Sequence, residues 1–112
     1  MTGDESLFFS TQVVDRILVI VPSQKVTALT GVELAQERFA FIDNIRNSEV
    51  RGVVFDLAAL QAFGSLMLGT LCLSWKQARD QGAPMALCNV SPVARQVLER
   101  SRLRMDESLL AR

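Results

Sequence analysis

The stretch RGVVFDLAALQAFGSLMLGTLCLSWKQARDQGAPMALCNVSPVARQVLERSRL, residues 51–103, decides the fold: it reads as strand, loop, amphipathic helix, strand and amphipathic helix without a break. That order predicts a right-handed crossover between parallel strands. Arg51–Leu57 is the first strand, with β-branched and aromatic residues and an acid near its C-terminal end. Ala58–Gly64 is a loop. Ser65 is placed to cap the helix that follows, its hydroxyl accepting a hydrogen bond from an orphan N–H of the first turn. A small polar residue at a helix N-terminus is also a good place for a phosphate.

In the helix from about Leu66 to Gln81, the residues Met67, Leu71, Trp75 and Ala78 recur at helical spacing, and Lys76, Arg79 and Asp80 lie off that stripe. Trp75 reads as core. Gly82 is the natural stop, with Pro84 two residues later. Met85–Cys88 reads as a short buried strand. Ser91 then caps a last helix that has Pro92 at its first position and an inner face of Val93, Val97, Leu98 and Ser101.

Upstream, Leu7–Val14 is β-rich and ends at Asp15-Arg16, a two-residue turn. Ile17–Val21 is a buried central strand, so the two form an antiparallel hairpin at the start of a mixed sheet. Pro22 ends the strand, and Ser23 to Leu29 is a loop. Thr30 opens a helix with Glu33 at the third position, the capping-box pattern. Val32, Ala35, Phe39 and Ile42 make its apolar stripe, widened by Phe41 and Ile45, while Glu37, Arg38, Asp43 and Arg46 face away. Helices pack through Phe39, Leu71 and Val97, and Glu107 to Arg112 adds a short terminal helical turn.

The 112 residues suit one domain, 1–112, with a modest core. Apolar residues make up 49% and aromatics 6%, which fits an α/β core of Val, Leu and Ala. Twelve basic and twelve acidic side chains cancel, so overall charge draws the chain neither to nucleic acid nor to an anionic membrane. The run Arg95, Arg100, Arg102 and Arg104 has no aromatic interleaving and reads as a solvated face. The polar start and the lack of an apolar run of roughly 18 residues point to a cytoplasmic protein with no membrane insertion. Cys72 and Cys88 show no CxxC spacing and read as small hydrophobes in a reducing compartment. Histidine is absent, which excludes Ser-His chemistry and His-based zinc sites. No carboxylates are paired for acid/base work, so the chain reads as a nonenzyme with no cofactor.

These residues resemble the STAS domain, shared by bacterial anti-sigma-factor antagonists and the tails of sulfate transporters. In that family a strand ending in Asp-Leu precedes a loop and then Asp-Ser-Ser/Thr-Gly-Leu-Gly, which opens a helix. A Lys followed by Gly-Gly, a strand and a Ser-Pro helix complete the pattern. The matching text here is Phe55-Asp-Leu57, Gly64 to Gly69, Lys76 to Ala83, Met85 to Asn89, and Ser91-Pro92 through Leu98 to Leu103, with no gap. The resemblance implies an α/β fold with a mixed sheet of four to five strands flanked by about four helices.

It also implies that Ser65 is a phosphorylation site, switched by a partner kinase, and that Lys25, Val26, Thr27, Gly64, Ser65, Leu66 and Met67 form a partner-binding surface. The partner would be an anti-sigma factor with serine-kinase activity or another partner-switching protein. Three acids of the family's pocket are replaced, by Lys25, Thr27 and Gly64, and Leu66 and Met67 stand where the family has a small residue and a glycine. By residue type alone Ser65 reads as a plain cap, Lys25 as a solvated cation, and Met67 and Leu66 as core and half-exposed helix positions. Two alternatives stay open: a constitutive scaffold or lipid-transport subunit without a phosphorylation cycle, and a small-molecule or nucleotide-binding domain using the helix N-terminus. A homodimer is left open as well.

Overall fold

Two residues set the first hairpin. Asp15 and Arg16 both have positive φ, 51° and 67°, the backbone of a tight turn whose twist matches that of the flanking strands. They join β2 (Phe9–Val14) to β3 (Ile17–Pro22), paired antiparallel with Val14 opposite Ile17 and Phe9 opposite Pro22. The computed structural model describes residues 3–5, 8–62 and 64–100. Within them a further short strand, β1 (Gly3–Glu5), adds antiparallel to the outer edge of β2, which the polar N-terminal composition did not signal.

Beyond β3 the chain makes a short 3-10 helix, Gln24–Ala28, where the sequence suggested a loop. The Ser23 hydroxyl accepts from the Lys25 N–H, and the Thr27 hydroxyl donates to the Gln24 carbonyl at 2.8 Å. Helix α1 (Gly31–Ile45) follows. Its capping box forms as expected: the Glu33 N–H donates to Thr30 Oγ1 and the Thr30 N–H donates to Glu33 Oε1. Then come β4 (Gly52–Asp56), α2 (Ser65–Asp80), β5 (Met85–Cys88) and α3 (Pro92–Arg100).

The sheet order is β1-β2-β3-β4-β5, with β3, β4 and β5 parallel and in register through Ile20–Phe55 and Phe55–Leu87. The fold is therefore a mixed α/β sheet. Three α-helices and the 3-10 turn appear among the described residues, and the terminal turn at 107–112 lies outside them.

Alternation along the strands gives one face to the core. Phe9, Leu18, Ile20, Val53, Phe55, Met85 and Leu87 are buried there, under Leu34, Phe41 and Ile45 of α1 and Met67, Leu71 and Ala78 of α2. Phe41 sits between Phe9 and Phe55, with ring centroids 4.8 and 5.9 Å away. The buried edge of α1 is thus Leu34-Phe41-Ile45. The stripe read from sequence is rotated away from it: Val32 and Phe39 lie on the solvent side and Ile42 at the margin. Several apolar positions compete around that helix, and the packing selects the edge that meets Phe9 and Phe55.

Packing likewise selects the buried residues of α3 and the depth of Trp75. The inner face of α3 is Ala94 and Leu98, with Val97 partly buried and Val93 exposed; Ser101 lies outside the described residues. Trp75 is half-buried, with the Arg79 guanidinium 4.8 Å from its ring, and both cysteines are half-buried too. The stop of α2 is as read. Gly82 has φ +73°, its N–H donates to the Arg79 carbonyl and the Ala83 N–H to the Ala78 carbonyl, a Schellman closure.

Candidate functional site

Parallel strands deliver three segments to one edge of the sheet. The 3-10 helix follows β3, the 57–64 loop follows β4, and Asn89–Ser91 follows β5. The loop is held from both sides. Leu57 and Leu60 are buried, and the Leu60 N–H donates to the Leu57 carbonyl. Asp56 Oδ1 accepts from the Ala58 N–H at 3.0 Å and from Asn89 Nδ2 at 2.9 Å. Asn89 adopts φ +56°, a backbone that asparagine tolerates better than most residues.

Ser91 closes the arrangement. Its hydroxyl donates to the Gln61 carbonyl and accepts from the Ala94 N–H at 3.1 Å, so one side chain caps α3 and pins the loop. Asp56, Asn89 and Ser91 were not singled out as a positioning set from sequence. An acid at a strand end and an asparagine after the next strand were the available signals.

At the end of this loop the helix begins one residue earlier than a Ser65 cap requires. Gly64 is the N-cap, in extended backbone, and its carbonyl accepts the first helical bond from the Leu68 N–H. Ser65 is the first helical residue, and no side chain caps α2. The first turn also contains no acid. The orphan N–H groups and the positive end of the helix dipole are left without a side-chain acceptor at an exposed position.

Of the seven positions expected to meet a partner, Lys25, Thr27, Gly64, Ser65 and Leu66 are exposed, while Val26 and Met67 are buried in the core. Val26 anchors the 3-10 helix and Met67 anchors the start of α2. Leu66 leans on α1: a Cβ built at Gly31 would lie 3.6 Å from Leu66 Cδ2. Thr70 and Ser74, both buried, return their hydroxyls to the Leu66 and Thr70 carbonyls, and Arg38 Nη1 reaches Thr70 Oγ1 at 3.5 Å.

Burial first, and the nearby Asp56 carboxylate second, push the Cys88 thiol above its ordinary range, which keeps it neutral. Two shallow depressions lie at the opposite, N-terminal ends of the strands. One is bordered by Ser48, Arg51 and Gln81, the other by Ile17, Val54 and Pro84. Neither borders Ser65. No helix among the described residues is long and apolar enough to cross a membrane.

A mixed sheet with α1 and α2 on its buried face, and a helix opening on a serine after β4, define a STAS-type α/β protein. The chain belongs to the STAS domain family, which matches residues 9–108. Among solved structures, it is similar to an anti-sigma-factor antagonist (STAS) domain protein from Planctomyces limnophilus, at 25% identity and TM-score 0.71, covering 85% of this chain and 82% of that one. It is also similar to a Ser-to-Glu variant of Moorella thermoacetica RsbS, at 20% identity and TM-score 0.70, over 86% and 77% of the two chains. The protein TM1081, solved by NMR, shares the fold at 17% identity and TM-score 0.73, over 92% and 80%. No curated protein matches the chain in sequence.

Proposed function

We propose that the chain, taken over its 112 residues as one domain, is a noncatalytic regulatory binding module of the cytoplasm, acting in partner switching as an anti-sigma-factor antagonist does. Its contact surface is Lys25, Thr27, Gly64, Ser65 and Leu66, with Val26 and Met67 fixing that surface from beneath. The partner is an anti-sigma factor with serine-kinase activity or a related switching protein, and Ser65 is the residue it phosphorylates.

The observation that carries this reading is the exposed Ser65 hydroxyl on the first residue of a 16-residue helix whose N-terminus has neither a side-chain cap nor an acid. A phosphoryl group there adds about −1.5 to −2 charges beside the positive end of a helix dipole, so the fold tolerates it and the change falls on the partner surface. Lys25, Thr27 and Gly64 in place of the family's acids favour a second reading, a constitutive scaffold with no phosphate cycle.

Intact-mass analysis of the chain purified from its own host, followed by incubation with the candidate kinase and ATP, separates the two. The expected result is one added phosphate that Ser65→Ala abolishes, with partner affinity weakened by phosphorylation and by Ser65→Asp. Because Ser65 is not the cap, Ser65→Ala alone should leave stability within about 0.5 kcal/mol. Absence of the phosphate in both experiments retires the switch and leaves the scaffold.

A further inference from the structure

Helices α1 and α2 lie side by side and run in the same direction. Gly31 adjoins Leu66 at their N-termini, Arg38 reaches Thr70 midway, and Gln81 Nε2 donates to the Ile45 carbonyl at 2.7 Å at their C-termini. Along their outer seam stand four large apolar side chains in water. Val32 and Phe39 on α1 are each 70% exposed, and Leu66 and Leu73 on α2 are 51% and 45% exposed. Each pair is seven residues apart, two helical turns, so each shares one face of its helix.

Together they expose on the order of 400 Å² of apolar surface on one side of the helix pair, the size of the largest apolar patch on a typical monomer, which is often functional. The stripe is continued toward the C-termini by exposed charges: Asp43 and Arg46 on α1, Lys76 and Asp80 on α2. In helix order the two series read Val, Phe, acid, base and Leu, Leu, base, acid. They stand at matching heights because the helices start side by side.

We propose that this seam is a self-association surface for a second copy of the chain, related by a twofold axis running along the helices. Such an axis lays α1 of one copy over α2 of the other in the same direction. Val32 then meets Leu66 of the second copy, Phe39 meets Leu73, Asp43 meets Lys76 and Arg46 meets Asp80, each contact occurring twice. The signs oppose at both charged levels.

The other in-plane twofold, across the helices, sets each helix antiparallel on its own copy. With that axis at mid-helix, Val32 meets the Asp43–Arg46 end and Leu66 the Lys76–Asp80 end; with it midway between Val32 and Phe39, the apolar residues pair but the four charges fall outside the contact. The axis along the helices is the one that pairs the apolar and the charged levels together. Doubling the apolar area gives on the order of 800 Å², below the standard interface size, which makes the dimer a weak and reversible one. It forms without a phosphate on Ser65 and without another protein.

Sedimentation velocity of the purified full chain, from about 1 to 500 µM, tests this in the absence of any partner. The expected result is a monomer–dimer equilibrium with its midpoint inside that concentration range. Phe39→Asp, on a solvent-side position that leaves the far-UV spectrum intact, raises Kd at least ~10-fold. Asp43→Lys or Lys76→Asp alone raises it roughly 5-fold, and the two together return it to within about 2-fold of wild type. A chain that stays monomeric throughout overturns the proposal. So does a dimer indifferent to Phe39→Asp, or charge reversals that add instead of compensating.

Discussion

Replacing Gly64 by aspartate should stabilise this protein, and each contribution can be read from the geometry. Gly64 is the N-cap of α2 at φ −97°, ψ −167°, extended backbone open to any residue, and a Cβ built there meets nothing within 4 Å. A carboxylate at that position can accept from a first-turn N–H that has no side-chain acceptor now, worth a few tenths of a kcal/mol over glycine. Its charge lies beside a helix end whose first turn contains no acid, adding about 0.3–1 kcal/mol.

The sum is about 0.5–1.5 kcal/mol. At ~4–8 °C per kcal/mol for a domain near this size, Gly64→Asp should melt roughly 2–12 °C above wild type at pH 7. Urea unfolding followed by circular dichroism should give a higher midpoint at unchanged slope. The charge-dependent share should vanish below about pH 3, where the carboxyl protonates, and Gly64→Asn should show only the uncharged share. A midpoint at or below wild type would refute the placement of the cap at Gly64.

Three further outcomes test other parts of the structure. Phe41→Ala should cost about 3–5 kcal/mol, whereas Phe39→Ala, two residues earlier, should stay within ~0.5 kcal/mol; chemical denaturation at low micromolar protein separates them. Gly82→Ala should cost about 1 kcal/mol, because φ +73° suits glycine and the Schellman closure depends on it. Cys88 is held neutral in the fold, so its contribution to stability is complete below the ordinary thiol pKa and is lost as pH rises through the raised folded value. Unfolding free energy should therefore decline above about pH 9 in wild type and decline less in Cys88→Ser. At about pH 8 a maleimide should modify Cys88 more slowly than it modifies glutathione, and Asp56→Asn should quicken the reaction.

Much of the architecture was legible because the signals were local and agreed with one another. The 51–103 stretch carried the crossover, since Gly82, Pro84, Ser91 and Pro92 punctuate it at fixed offsets from two apolar strands. Thr30 and Glu33 named their own helix start. What stayed hidden depended on geometry across the fold. Helix α1 has apolar residues on nearly every side, so periodicity alone could not say that Phe41, not Phe39, meets Phe9 and Phe55. Ser65 looked like a cap because its type is right, and only the Gly64 backbone shows that the helix has already begun. The ties from Asp56 to Asn89 and from Ser91 to Gln61 join residues about thirty apart, and no spacing rule reaches them.

Those long-range ties bear on how a signal at Ser65 could travel. The loop before it is fixed by two buried leucines, an aspartate shared between Ala58 and Asn89, and a serine shared between Gln61 and Ala94. A charge added at Ser65 therefore meets a surface that does not need to refold, and its effect is confined to what docks there. Leu66 belongs both to the proposed partner surface and to the proposed self-association seam between α1 and α2. A partner seated over Ser65 and Leu66 consequently binds the monomer, and self-association withdraws chain from it in proportion to concentration. A protein partner would then bind more weakly, in apparent terms, as the chain becomes more concentrated, and Phe39→Asp, outside the proposed partner surface, would shift that dependence to at least ~10-fold higher concentration while leaving the affinity of the dilute chain unchanged.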